Sequence, residues 1–115
     1  MIKHFLHFIK ASKFSINGII TAFKNEIAFR QEIIILIIIL PIVYLLSIPL
    51  LQKALLISSW LLVLVVELIN SAIESVVDKT GLEENQLSKN AKDFGSAAVA
   101  VAVIIALIIW IGILF

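Results

Sequence analysis

The stretch that decides how this chain folds is VELINSAIESVVD, residues 66–78. It follows thirteen residues, 54–66, that carry no charge, so it begins as the second half of a membrane span. It then carries Glu67, Asn70, Ser71, Glu74 and Asp78. At 100° per residue from Glu67, the other four fall at about −60°, +40°, −20° and +20° on a helical wheel. They share one face roughly 100° wide and about 16 Å long. Ile69 and Val76 lie opposite, with Leu68 and Val77 apolar on either flank.

That face cannot meet lipid. A carboxylate at mid-helix costs about 2.5–3.5 kcal/mol on insertion scales, and each Leu, Ile or Val returns only about 0.3–0.6. The Leu, Ile and Val residues of 54–66 together offer about 3–5 kcal/mol, most of which one lipid-facing glutamate would use. The face must therefore turn to a protein interior or a hydrated cleft. The spans hold no Lys or Arg to pair with Glu67 or Glu74, and the nearest bases, Lys79 and Lys92, sit at the boundary or beyond it. Clustered carboxylates without a local counter-charge suit a divalent cation, a proton relay or a general base. An enzyme and a cation- or proton-coupled transport subunit both remain open at this point, and no Gly-rich phosphate loop or kinase loop decides between them.

The rest of the chain agrees with a membrane setting. Of 115 residues 62% are hydrophobic, and the mean hydropathy is +1.15, leaving too little polar material to cover a soluble globule. Three spans are expected, at about 31–51, 54–79 and 92–115, each near the roughly 20 residues that cross a bilayer core. None reads as a cleavable signal. Together with the N-terminal segment they form one domain over 1–115. The absence of cysteine excludes disulfides and thiolate metal sites.

Eight of the nine basic residues lie before the first span or between the second and third, and Lys53 alone marks the other connection. By the positive-inside rule the N-terminus and the 79–94 region are cytoplasmic and the C-terminus lies on the far side. All eight acids fall at the cytoplasmic end. Residues 3–24 form an amphipathic helix on the cytoplasmic leaflet. Lys3, Lys10, Lys13, Asn17, Thr21 and Lys24 share an arc of about 80°, and Phe5, Phe8, Ile9, Ile16, Ile20 and Phe23 lie outside it. Its basic face is expected in water and its aromatic face in lipid, with Gly18 a weak point and His4 and His7 at the interface. In the third span Gly95, Ala98, Ala102 and Ala106 make a small-residue stripe that permits close helix packing. The fold expected is all-α: a surface helix and three transmembrane helices in a bundle or oligomer.

Four stretches carry a resemblance: IKASKFSINGI (9–19), NEIAFRQE (25–32), ELINSAIESVVD (67–78) and LSKNAKDFGSAAV (87–99). In order and across nearly the whole chain, they resemble the small prokaryotic integral-membrane diacylglycerol kinases. The resemblance implies a homotrimer in the bacterial inner membrane that makes phosphatidate from 1,2-diacylglycerol and MgATP, with sites shared between neighbouring subunits. It implies Glu67 as general base, and Glu26 and Glu74 as the carboxylates that hold Mg2+ against the ATP phosphates. It places Glu83, Lys92 and Asp93 at the nucleotide, and Ser15, Arg30, Gln31, Glu32 and Ser96 along the lipid cleft. Asn70, Ser71 and Asp78 support the polar face. No nucleic-acid partner is implied. His7, Phe14, Ile16 and Asn85 stand where the family commonly has Arg, Tyr, Trp and His. Undecaprenol kinases share the core carboxylates, but FRQE and KDFGSAAV resemble the diacylglycerol form.

Overall fold

In a computed structural model of the protein, which describes residues 1–80 and 85–115, four helices follow one another: α1 (Ile2–Asn25), α2 (Ile27–Leu45), α3 (Leu50–Thr80) and α4 (Gln86–Leu114). Among the described residues there is no strand. The last three helices are each long and apolar enough to cross a membrane. Between α2 and α3, Leu46 turns to an extended conformation, and Pro49, which supplies no N–H, opens α3 by offering its carbonyl to Lys53 N at 3.1 Å. The first spanning helix thus runs from Ile27 to Leu45, ending short of residue 51. Asn85 caps α4, its Oδ1 accepting from Leu87 N at 2.8 Å. That bond gives a structural use to the asparagine that stands where the family commonly has histidine.

Both connections between the spanning helices are short, so neighbours run antiparallel. The consequence for function is topological. The start of α2, the end of α3 and the start of α4 all meet at one end of the bundle. Among the described residues every acid and all bases but Lys53 lie there or on α1.

Two apolar clusters hold the bundle. Ala22, Phe29 and Leu64 bring α1, α2 and α3 together, and Ile33, Leu36 and Leu68 pack around them. Val63, Ala102 and Ala106 join α3 to α4. Two indoles cross-link the helices inside this apolar setting: Trp60 Nε1 donates to the Glu32 carbonyl at 2.9 Å, and Trp110 Nε1 to the Leu56 carbonyl at 3.1 Å. At the opposite end Lys53 donates to the Tyr44 carbonyl at 2.8 Å and lies 5.7 Å from its ring centroid. The small-residue stripe is used in part. Gly95, Ala102 and Ala106 are buried, whereas Ala98 faces an open apolar groove with Phe94 and Val101.

α1 runs unbroken through Gly18, but only Ala22 on it is buried. The molecule measures 51 × 44 × 24 Å. A 31-residue helix accounts for about 46 Å of length, so the second long dimension belongs to α1 leaving the bundle axis.

Replacing Ala102, 3% exposed, by Leu overfills the α3–α4 seam. The expected loss is about 1–3 kcal/mol of stability, read as a lower thermal midpoint in detergent micelles. Ile104→Leu, on the exposed face of the same helix, should leave that midpoint unchanged.

Candidate active site

Exposure along the polar face of α3 is graded. Glu67 and Asn70 are 7% and 9% exposed, Ser71 and Glu74 are half-buried, and Asp78 is open. The gradient follows from length. If α3 enters the hydrocarbon near Leu50, about 20 residues carry it across, so Glu67 and Asn70 stand near the far edge of the core and Asp78 beyond it. Neighbouring helices have to cover the first pair.

Around Glu67 the fold gathers three other carboxylates. Glu74, about two turns further along α3, and Glu26, in the kink between α1 and α2, both act electrostatically on Glu67. Glu32, on α2, is itself subject to the charge of Glu67. Asn70 lies between the two α3 glutamates in sequence, and its Nδ2 donates to Glu74 Oε1 at 3.3 Å. Two buried oxygens in this region, Glu32 Oε1 and Asn70 Oδ1, accept no hydrogen bond. Two ion pairs form among the described residues, Lys92–Asp78 at 2.7 Å and Lys89–Asp93 at 2.7 Å, and neither reaches these four glutamates.

Glu26 owes its place to a two-residue device. It is the C-cap of α1 and the N-cap of α2, in extended conformation at φ −109° and ψ 110°. One turn on, Arg30 folds back over the end of α1. Its Nε donates to the Phe23 carbonyl at 2.9 Å and its Nη2 to the Lys24 carbonyl at 2.7 Å, with the guanidinium 5.9 Å from the Phe23 ring centroid. Helix C-termini leave carbonyls without partners and carry partial negative charge, and a guanidinium answers both needs. Arg30, which the resemblance places on the lipid cleft, thus spends its Nε and one Nη2 hydrogen on α1, and further N–H groups stay available for a ligand.

A cleft of about 440 Å³ opens between α1 and α3, lined on its polar side by Asn17, Thr21, Asn25, Glu26, Ser71 and Ser75. Its size is in the range of small-molecule sites. Asn17 and Thr21 belong to the polar arc of α1 that was expected to face water; here they face α3. Asn25 and Ser75 were not singled out in the sequence, although Asn25 lies close to that arc.

The structure does not gather every expected residue. Ser15, Gln31 and Ser96 are exposed on a single chain, and the Ser15 hydroxyl donates to the Ala11 carbonyl of its own helix at 3.0 Å. Lys92 bridges α4 to Asp78 on α3, and Asp93 pairs along its own helix with Lys89. Glu83 lies outside the described residues. Trp60, whose indole fixes the backbone of Glu32, had no signal in the sequence beyond its place in an apolar run.

The donor set fits a hard cation. Glu26 and Glu74 bring carboxylate oxygens from different elements, and the bond from Asn70 engages Oε1 of Glu74, leaving Oε2 for a metal. Among the described residues no group of three or more His, Asp and Glu side chains converges to hold a metal unaided. Mg2+ needs no such cage, since it takes one or two carboxylates together with substrate phosphates and water.

These features define a class: a membrane-embedded helical protein with a carboxylate-lined site at one end of its bundle. Residues 13–114 match the prokaryotic diacylglycerol kinase family. The chain is 48% identical over 109 residues to the diacylglycerol kinase of Haemophilus influenzae, covering 95% of this chain and 92% of that one. It is 47% identical over 106 residues to the enzyme of Escherichia coli K12, covering 92% and 87%. To that of Pseudomonas aeruginosa it is 44% identical over 106 residues, covering 92% and 86%. The chain belongs to the prokaryotic diacylglycerol kinase family and is a bacterial membrane protein.

Removing the guanidinium in Arg30→Met should free the end of α1. Charge-assisted hydrogen bonds are worth about 1.5–3 kcal/mol each, so backbone amides at 22–26 should exchange with deuterium at least roughly tenfold faster. Unchanged exchange there would show that the clamp carries no stability.

Proposed function

We propose that the protein is an ATP-dependent diacylglycerol kinase of the bacterial inner membrane, transferring the γ-phosphate of ATP to the hydroxyl of 1,2-diacylglycerol to give phosphatidic acid. One observation carries the reading: Glu67, 7% exposed, is buried at the inner end of a carboxylate row whose outer end opens towards water. A base placed there meets a lipid hydroxyl arriving from the leaflet, and a nucleotide arriving from the cytoplasm meets the outer carboxylates first.

In this reading the lipid hydroxyl oxygen attacks the γ-phosphorus, the bond to the β–γ bridging oxygen breaks, and ADP leaves. Glu67 accepts the hydroxyl proton as the new P–O bond forms. Glu26 and Glu74 hold Mg2+, which when bound neutralises charge on the phosphate oxygens. Lys92, tethered to Asp78 at 2.7 Å, places positive charge at the mouth of the site, with Asp93 on the nucleotide side; Glu83, outside the described residues, is assigned to the nucleotide by the family resemblance alone. Asn70 and Ser71 complete the polar wall. Arg30 and Glu32 line the lipid side. Ser15, Gln31 and Ser96, exposed on one chain, join them where a neighbouring subunit of a homotrimer closes the cleft. The N-terminus is cytoplasmic and the C-terminus lies across the membrane.

Two substitutions test the roles, assayed as ADP release with dioleoylglycerol in mixed micelles. Glu67→Gln keeps shape and loses the base, so turnover should fall by about 10²–10⁴-fold with helical circular dichroism unchanged. Near-normal turnover would remove Glu67 from the base role. Glu74→Ala should raise the Mg2+ concentration needed for half-maximal rate, and an unaltered Mg2+ dependence would remove it from the metal role.

A further inference from the structure

α3 and α4 pack through three buried small residues on α4, but Gly95 differs from Ala102 and Ala106 in what it meets. A Cβ built at Gly95 would overlap Asn70 Oδ1 and lie 3.2 Å from Asn70 Cγ. The nearest α3 backbone atom, Asn70 Cα, would be 3.8 Å away, an ordinary van der Waals distance. The helix backbones therefore leave room for alanine at 95, and it is the Asn70 side chain that would have to shift.

That side chain is constrained at both ends. Nδ2 donates to Glu74 Oε1 at 3.3 Å, while Oδ1 is buried and accepts no hydrogen bond. Turning the amide over would set oxygen against the Glu74 carboxylate, so Oδ1 has to point at α4. A buried acceptor without a donor costs roughly 1–3 kcal/mol, and the Cα–H of Gly95 offers only weak compensation. An oxygen held at that cost is one the rest of the arrangement fixes in place. The space it occupies is the space a side chain at 95 would fill.

We propose that Gly95 is a positioning residue for the reaction: by leaving that space open, it keeps the Asn70 amide in the orientation in which Nδ2 holds the Glu74 carboxylate. The inference rests on the reading of Glu74 as a metal-holding group. Gly95 touches neither metal nor substrate; it acts through Asn70.

The test uses the full-length protein in detergent micelles. Mn2+ is titrated by electron paramagnetic resonance with a non-hydrolysable ATP analogue, and thermal midpoints are recorded for the same samples. Gly95→Ala should weaken Mn2+ binding by about tenfold or more, the range for losing a residue that orients a metal ligand, and should lower the midpoint. In Gly95→Ala combined with Asn70→Ala the overlap is gone, so the midpoint should recover while Mn2+ binding stays as weak as in Asn70→Ala alone. If Gly95→Ala does not fold, agreement of the double variant with Asn70→Ala in both readouts supports the proposal by itself. Wild-type Mn2+ affinity in Gly95→Ala would overturn it, as would a double variant that regains wild-type affinity, which would leave Gly95 a packing residue only. Glu74→Gln separates the two levels. If it weakens Mn2+ binding and Gly95→Ala does not, this inference fails alone; if Glu74→Gln leaves binding unchanged, the metal role of Glu74 fails and takes this inference with it.

Discussion

A carboxylate faces hydrocarbon only at a large cost, and this protein places one inside a helix long and apolar enough to cross a membrane. The rest of the structure follows from hiding it. Glu67 is buried on the helix that α2 and α4 flank, which packs through Phe29 and Leu64 on one side and through Val63, Ala102 and Ala106 on the other. The cover thins towards the end of α3, so polar residues pass from buried at Glu67 to open at Asp78. Apolar packing sets where the carboxylates go, and carboxylate chemistry sets how tight that packing must be.

In the proposed reading the same geometry divides the substrates. Short connections bring the first turns of α2, the last turns of α3 and the first turns of α4 to one end, so the groups proposed for the nucleotide and the base proposed for the lipid would share one wall. α1 closes the site from the side. Its seat is fixed by a cation at its C-terminus, the Arg30 clamp, and by Ala22 in the core. Glu26 sits in the single extended residue between α1 and α2, so whatever holds the end of α1 also places Glu26. Phosphoryl transfer depends mostly on positioning and charge, and in the proposed reading the kink would supply the positioning for that carboxylate.

Much of this was legible in the sequence. Hydropathy marks three spans because lipid demands unbroken apolar runs, and a wheel groups Glu67, Asn70, Ser71, Glu74 and Asp78 because helical spacing is a property of one helix alone. What a wheel cannot give is the angle between helices. The turn of Arg30 back onto Phe23 and Lys24 depends on the kink at Glu26, and the pairing of Lys92 with Asp78 depends on how α4 docks. Gly95 reads in sequence as one member of a packing stripe, and its contact with Asn70 emerges only when α3 and α4 are side by side. Asn17 and Thr21 were visible as polar, but whether they meet water or α3 depends on where α1 rests. Ser15, Gln31 and Ser96 are exposed on their own chain, and a sequence of one chain does not give what a second subunit, as proposed, would bring to them.

The central claim is that the buried carboxylate row serves phosphoryl transfer to a lipid hydroxyl. The most direct measurement is phosphorus nuclear magnetic resonance of the purified protein in mixed micelles with MgATP, with dioleoylglycerol, with undecaprenol and with no added lipid. The account predicts a phosphatidate resonance growing with ADP when dioleoylglycerol is present, much less product from undecaprenol, and neither ADP nor phospholipid without an acceptor. Preference for undecaprenol would contradict the assigned substrate. No ADP and no new phosphorus resonance with either lipid, from protein of native helical content, would contradict phosphoryl transfer itself.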